Sequence, residues 1–245
     1  MSLSWLNIDW PAPPGVRVLS SFRGGGASVA PYASLNLGDH VGDTLEAVAA
    51  NRRALIAAAG LPAEPIWLEQ VHGVNVADLD TPGPHGPADA AVTRRAKRVC
   101  AILTADCLPV VFATESGDTI AAAHAGWRGL KDGVIEATVE AIGASPQRLI
   151  VWLGPAIGPR HFEVGAEVRQ AFISADPGDA DAFDQNARGR FMADLAWLAR
   201  RRLQRLGISR VHGGDECTYA RADRYFSHRR DGTTGRQGTF IWRES

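Results

Sequence analysis

The sequence predicts an α/β protein of the α+β kind, a single domain on a mixed sheet, and three observations carry that expectation. Short apolar runs of strand length alternate with amphipathic stretches of helical length. Glycine and proline punctuate the junctions between them. No repeat, low-complexity tract or linker divides the 245 residues, so residues 1–245 read as one domain.

Each element follows from its own residues. Val16 to Phe22 (VRVLSSF) reads as a strand, and Arg23-Gly-Gly-Gly26 after it as a loop that glycine makes easy. Asp43 or Thr44 caps a helix to about Ala59, stopped by Gly60 and Pro62. Leu45, Val48, Leu55, Ile56 and Ala59 share its apolar face, with Asn51, Arg52 and Arg53 elsewhere on its surface. PIWLEQV and VNVADL are β-rich, and His72-Gly73 breaks them where a side chain can project into a site. PGPHGP, residues 82–87, is a surface loop. Arg98 to Thr104, Val110 to Ala113 and Thr119 to His124 are apolar runs short enough to be strands buried on both faces.

Gly126-Trp-Arg-Gly129 opens a helix running to about Ile142, which sets free N–H groups and a helix dipole beside His124. Leu149 to Leu153 is a strand, and Glu163 to about Ser174 a helix. Ala175 to Arg190 is a polar loop, and Met192 to Leu206 is an amphipathic helix ended by Gly207. Thr239 to Trp242 is the last strand.

Composition bounds the function. With 45% hydrophobic and 22% charged residues, the chain is neither disordered, collagenous nor a coiled coil. The formal charge of −1 gives no overall electrostatic footprint for nucleic acid or an anionic membrane, so any phosphate site must be local. The 24 Arg against 2 Lys read as a coding bias. The N-terminus lacks a basic stretch followed by an apolar core, and no window reaches the roughly 18 apolar residues of a spanning helix. A cytoplasmic protein is therefore expected. Three cysteines, Cys100, Cys107 and Cys217, are too few for a disulfide framework and read as reduced thiols.

Three side chains at strand ends or turns carry the chemistry: His72 in Gln-Val-His-Gly, Cys107 in Ala-Asp-Cys-Leu-Pro, and His124 in Ala-His-Ala-Gly-Trp-Arg-Gly. Two imidazoles and a thiolate make a zinc set, and three protein ligands leave a position for water or substrate. The same residues admit another reading, in which Cys107 is a nucleophile activated by a histidine. Asp106 could orient either histidine in both readings. Cys100 lies in an apolar run and reads as a buried structural thiol, while Cys217 is ambiguous. His40, His85, His161 and His212 read as exposed or hydrogen-bonded. His228 sits in the polar run Ser227 to Arg236, which either wraps a substrate through Arg229, Arg230 and Arg236 or is a solvated turn.

At these positions the chain resembles the YfiH family, also called the multicopper polyphenol oxidase or laccase-domain family. The blocks that match are SSFRGGGASVAPYASLNLGDHVGD, VAANR, LEQVHG, ADAAVT, LTADCLPVV, AAAHAGWRGL, LGPAIGP, FEVG, ADL, ECTY and YFSHRRDGTTGRQG, which span nearly the whole chain. The resemblance implies a cytoplasmic bacterial enzyme that phosphorolyses adenosine, inosine, guanosine and 5′-methylthioadenosine and also deaminates adenosine. It carries the metal ligands onto His72, Cys107 and His124, with zinc as the metal and copper possible. It places the fold with the cytotoxic necrotizing factor/YfiH-like putative cysteine hydrolases, and some members are called peptidoglycan editing factors. Where members often have two cysteines after the GPAIGP block, this chain has Arg160-His161.

The oxidase label fails on the residues themselves. A trinuclear copper cluster is fed by many histidines, usually in His-x-His pairs, and this chain has seven histidines and no such pair. For deamination, Glu69 and Asp106 are the nearest candidates in sequence for a proton shuttle. For phosphorolysis, Arg23, Arg128, Arg229 and Arg230 are the candidates for binding phosphate. Tyr32 and Trp127 either stack on the base or pack in the core. The expected partners are purine nucleosides and phosphate, with no nucleic acid or membrane, and the expected assembly is a monomer or weak homodimer. The alternative activities are a Cys-His hydrolase or amidase editing a peptidoglycan precursor, and, less favoured, a copper-dependent polyphenol oxidase.

Overall fold

Along the strand Leu108–Thr114 every residue is buried, Val110 and Phe112 in one core and Val111 and Ala113 in another. Side chains alternate across a strand, so a strand sealed on both faces must be apolar throughout. The computed structural model, which describes residues 3–244, is layered around that strand.

In chain order the first elements are β1 (Val16–Ser20), α1 (Leu45–Ala59), β2 (Val76–Asp78), β3 (Ala90–Thr93), β4 (Val99–Thr104) and β5 (Leu108–Thr114). Then come β6 (Ile120–Ala125), α2 (Trp127–Asp132), α3 (Val134–Ile142), β7 (Leu149–Leu153), β8 (Glu163–Val164) and α4 (Ala166–Ile173). The last are β9 (Phe183–Gln185), β10 (Phe191–Ala193), α5 (Leu195–Arg205), β11 (Arg210–Gly213), α6 (His228–Asp231) and β12 (Gln237–Arg243).

A six-stranded sheet has the order β11-β7-β5-β6-β3-β2, with β11–β7 and β2–β3 parallel and the other pairs antiparallel. A three-stranded antiparallel sheet, β1-β12-β4, packs on it through Cys100, Ile102, Val111, Ala113 and Ile241. Leu55 of α1 covers the outer face of the smaller sheet, against Leu103 and Phe240. Helices α3 and α5 cover the other face of the large sheet through Ile135, Leu198 and Leu203. The mixed α/β single domain expected from the sequence is thus the observed one.

Several local expectations change. The helix read from 126 to 142 is two helices, broken at Gly133, whose φ of 103° is open to glycine and strained for other residues. The helix read from Met192 starts at Leu195, because Asp194 caps it by accepting the Trp197 N–H at 2.9 Å and Phe191–Ala193 pairs as β10. The helix read from Glu163 starts at Ala166, after β8. PIWLEQV forms only isolated bridges at Ile66 and Glu69, whereas β3 and β11, read as no strands in the sequence, are paired. In α1, Leu45 is 65% exposed and Asn51 is fully buried, the reverse of the expected faces. Asn51 donates to Ser28 Oγ and Asn36 O, each at 2.8 Å, and accepts the Ala27 N–H at 2.7 Å, so it anchors the glycine loop. The polar loop from 175 to 190 holds a short 3-10 turn, Pro177–Ala182, and β9. Among the described residues no helix is long and apolar enough to cross a membrane.

Candidate metal centre and active site

Strand register brings the three ligands together. In the antiparallel β5–β6 pair, Leu108 faces Ala125 and Pro109 faces His124, so the 17-residue gap between Cys107 and His124 is closed by a hairpin. Carried one residue further, that register sets Gly126 opposite Cys107. A Cβ on Gly126 would lie 2.9 Å from Cys107 Sγ and 3.0 Å from His72 Cδ2, so glycine is required there by space. A Cβ on Gly129 would lie 2.8 Å from Gly73 O, so the second glycine of the Gly-Trp-Arg-Gly run seats the His72 turn. His72, Cys107 and His124 present ligand atoms within 4.8 Å of one another, a group able to hold a metal ion. Cys107 Sγ is 3.7 Å from His72 Nε2, and the two imidazole centroids are 4.7 Å apart.

A fourth residue, Asp89, organises the group. It precedes β3, whose register with β6 places it opposite His124, and it is fully buried. Oδ1 accepts from His124 Nδ1 at 2.8 Å and from the His72 N–H at 2.8 Å. Oδ2 accepts the N–H groups of Gly73 at 2.6 Å and Val71 at 3.1 Å. One carboxylate therefore holds the proton on His124 Nδ1, leaving Nε2 for a ligand role, and pins the turn in which His72 adopts a φ of 62°. Burial pushes Asp89 up, but the His124 ring and the Gly73 and Val71 N–H groups outweigh it and hold the carboxyl below its ordinary range.

The site is electrostatically coupled. Burial pushes the Cys107 thiol up, yet the charge and hydrogen bond of His124, with the hydrogen bond to His72, hold it at about 6. Burial pushes His124 down, while the Cys107 thiolate and Asp89 raise it to about 9. Without metal, each partner favours the charged form of the other, thiolate beside imidazolium. With metal, a ready thiolate and an oriented imidazole are the donors that zinc and copper prefer.

The group opens into a cavity of about 380 Å³, also lined by His40, Gln70, Thr104, Arg128, His228 and Arg236. That size suits a small organic ligand. Arg128 is exposed, lies over the Trp127 ring at 4.6 Å and forms no ion pair among the described residues. The Arg236 guanidinium donates to Thr234 O and Gly235 O, and a Cβ on Gly38 would lie 2.8 Å from its Cγ. The Gln70 amide bonds both N and O of Leu103 at 2.8 Å, fixing the strand end before Asp106.

Residues 17–244 match the family described as multi-copper polyphenol oxidoreductase laccase. The chain belongs to that family. Among its relatives, "Purine nucleoside phosphorylase YfiH" of Escherichia coli (strain K12) is 51% identical over 236 residues, covering 96% of each chain. "Purine nucleoside phosphorylase PA4543" of Pseudomonas aeruginosa is 51% identical over 240 residues, covering 98% of each. The crystal structure of Neisseria meningitidis protein NMB0706 superposes with a TM-score of 0.94 at 45% identity, over 98% of this chain and 99% of that one. YlmD from Geobacillus stearothermophilus superposes with a TM-score of 0.90 at 31% identity, over 98% and 96%.

Within this family member, the candidates from sequence divide. His72, Cys107, His124 and Arg128 converge on the cavity. Asp106 orients neither histidine: its carboxylate accepts from Thr218 Oγ1 at 2.6 Å and the Arg229 N–H at 2.7 Å, tying the C-terminal segment to the strand end. Glu69 is exposed beside a different cavity that contains His85. Arg23 donates to Ala33 O, pairs with Asp231 and lies over Phe226. The Arg229 side chain donates to Glu163 O, and Arg230 to the carbonyls of Thr218, Tyr219 and Tyr225. These three guanidinium groups support the fold around the site and do not line it. The Tyr32 hydroxyl donates to Val41 O, and Trp127 packs against the core. Cys100 is buried as expected. Asp89 was missed as a functional residue; an acid inside an otherwise apolar Ala-rich stretch was the trace it left in the sequence.

Proposed function

We propose that the protein is a purine nucleoside phosphorylase acting on adenosine, inosine, guanosine and 5′-methylthioadenosine, with adenosine deaminase activity at the same site. The observation that carries this reading is the His72/Cys107/His124 group opening into a cavity walled by Arg128 and Arg236. The names of relatives that cover nearly the whole chain support it. His72, Cys107 and His124 would hold zinc, or copper by the affinity order for such donors. Bound there, the metal supplies Lewis acidity for activating water or polarising a substrate oxygen.

The chain's own residues do the rest. Asp89 keeps the proton on His124 Nδ1 and the ring in one orientation. Arg128, whose guanidinium forms no ion pair among the described residues, and Arg236 supply positive charge for a phosphate dianion. The phosphate oxygen attacks the anomeric carbon while the N-glycosidic bond breaks, and the proton that hydrogen phosphate gives up goes to the leaving purine. Oxidase chemistry, named in the family's description, is disfavoured by the absence of any His-x-His pair in the sequence.

Metal-analysed protein given adenosine with and without phosphate tests this, with adenine, ribose 1-phosphate and inosine resolved by chromatography. Phosphate-dependent adenine and ribose 1-phosphate, lost on chelation, are expected, with inosine from deamination. No turnover of any purine nucleoside by folded, metal-loaded protein would overturn the reading. A second reading, a Cys-His hydrolase or amidase acting on a peptidoglycan precursor, draws on the depressed Cys107 thiol 3.7 Å from His72. It predicts activity that survives chelation and is lost to thiol alkylation.

A further inference from the structure

A second cavity, of about 400 Å³, is lined by residues that include Gly158, Arg160, His161, Arg200, Asp215 and Cys217. Cys217 Sγ lies 3.6 Å from His161 Nδ1 and accepts the Gly158 N–H at 3.2 Å. The His161 ring stacks on Tyr219, with centroids 4.5 Å apart and planes at 19°, which holds it against the sulfur. A Cβ on Gly158 would lie 3.2 Å from Cys217 Sγ and 3.3 Å from its Cβ, so glycine lets this amide reach the sulfur.

The three thiols of the chain have different fates. Cys100 is sealed, and burial pushes its thiol up. Cys107 belongs to the metal group. Cys217 is only half-buried, faces a cavity, and has both a base and an amide donor on its sulfur. Reactive cysteines occupy such settings, partly exposed beside histidine, and buried ones are inert. Arg160 and Asp215 at the same cavity are both exposed and form no ion pair among the described residues, so one cation and one anion stand ready for a ligand bearing both charges.

We propose that Cys217 is a thiol-modification site, which exchanges with a low-molecular-weight disulfide whose carboxylate and ammonium groups pair with Arg160 and Asp215. In the step, His161 takes the Cys217 proton and the thiolate attacks one sulfur of the disulfide. The old S–S bond breaks as the new one forms, and the departing thiolate takes the proton from His161. Cys217 is oxidised and the leaving sulfur reduced, with no other oxidant. Neither the purine reaction nor the metal enters this step.

The test uses zinc-loaded, full-length protein and oxidised glutathione, read by intact mass and peptide mapping. One adduct is expected, on the peptide that holds Cys217, reversed by dithiothreitol and absent in Cys217→Ser. His161→Gln and Gly158→Ala slow its formation several-fold. Arg160→Ala slows reaction with oxidised glutathione but not with uncharged hydroxyethyl disulfide. An adduct on Cys107 in place of Cys217, no adduct at all, or equal rates in wild type and His161→Gln overturns the proposal. The readout is mass and not turnover, so a failure of the proposed phosphorylase activity leaves this result decisive.

Discussion

Two thiol–imidazole pairs sit in this molecule at nearly the same separation, 3.7 Å for Cys107 with His72 and 3.6 Å for Cys217 with His161. Among the described residues only the first belongs to a group able to hold a metal. The difference lies behind the pair. The β5–β6 register, with Pro109 opposite His124, brings Cys107 at the start of β5 beside His124, and Asp89 fixes His72 and His124 together through four accepted hydrogen bonds. Behind the second pair stand Tyr219, stacked on the His161 ring, and the Gly158 amide on the Cys217 sulfur, and among the described residues no further ligand completes a metal group there. A close Cys–His pair supplies reactivity, whereas a metal site also needs a third ligand and a carboxylate that orients it.

The largest effect should come from removing a ligand. His124→Ala and Cys107→Ala should each lose bound zinc and phosphate-dependent adenine release, by more than the roughly 10–100-fold that an orienting partner is worth. Metal content by elemental analysis and turnover on the same folded sample check it, and retained zinc in both variants would break the comparison. Next comes Asp89→Asn, which keeps the shape but replaces an acceptor by a group with its own N–H donors. Zinc affinity should fall by roughly 10–100-fold. The N–H groups of Val71, His72 and Gly73 compete for one remaining oxygen, so stability should fall by about 1–3 kcal/mol for each buried group left unpaired. Chelator competition and denaturant melts read the two effects separately.

How much of this was legible in the sequence follows from the same contrast. The strands β4, β5, β6 and β7 were legible because burial on both faces writes a continuous apolar run. The ligands were legible as residue types at strand ends. Asp89 was not, because its role comes from a β3–β6 register that no local pattern encodes, and β3 itself is four residues long, two of them alanine. Asp106, adjacent to Cys107 in sequence, misled for a backbone reason: its φ of 97° accompanies a side chain bonded to Thr218 and Arg229 and not to the histidines. Asn51 misled similarly, since a polar residue on a helix reads as solvent-facing until a loop lacking its own hydrogen-bond partners folds over it.

A smaller but sharper effect is the titration of the metal-free protein. The Cys107 pKa is lowered, so its contribution to stability is present above the ordinary thiol range and is lost as pH falls through about 6. The His124 pKa is raised, so its contribution is present below the ordinary histidine range and is lost as pH rises through about 9. Between those values the Cys107 contribution grows as the His124 contribution fades, so the two offset and the melting of the metal-free chain should depend little on pH there. Thiolate absorbance should appear with a midpoint near 6 and move up in His124→Gln, where the positive charge is gone. A midpoint unchanged by that substitution would show that His124 does not hold the thiolate.

The smallest effect is expected at the other pair. Cys217→Ser replaces sulfur by a smaller oxygen that can still accept the Gly158 N–H and meet His161, and Cys217 contributes nothing to the metal group. Zinc content and adenine release should stay within about twofold of wild type, the range of surface substitutions that touch no special feature. Cys217 nevertheless precedes Thr218, whose hydroxyl holds Asp106 at 2.6 Å, and pairs with Ala156, next to Ile157, whose N–H donates to Asp106 O at 2.9 Å. These bonds run through backbone and Thr218, not through the Cys217 sulfur, so trimming the sulfur should leave them intact. Thr218→Val, which removes the hydroxyl and strands one Asp106 oxygen, is the contrasting variant. It should lower turnover more than Cys217→Ser does while zinc content is kept, because Asp106 positions the Arg229 segment beside the cavity and not the metal ligands. Equal behaviour of the two variants would mean that the segment from 217 to 229 reaches the site by some route other than Asp106.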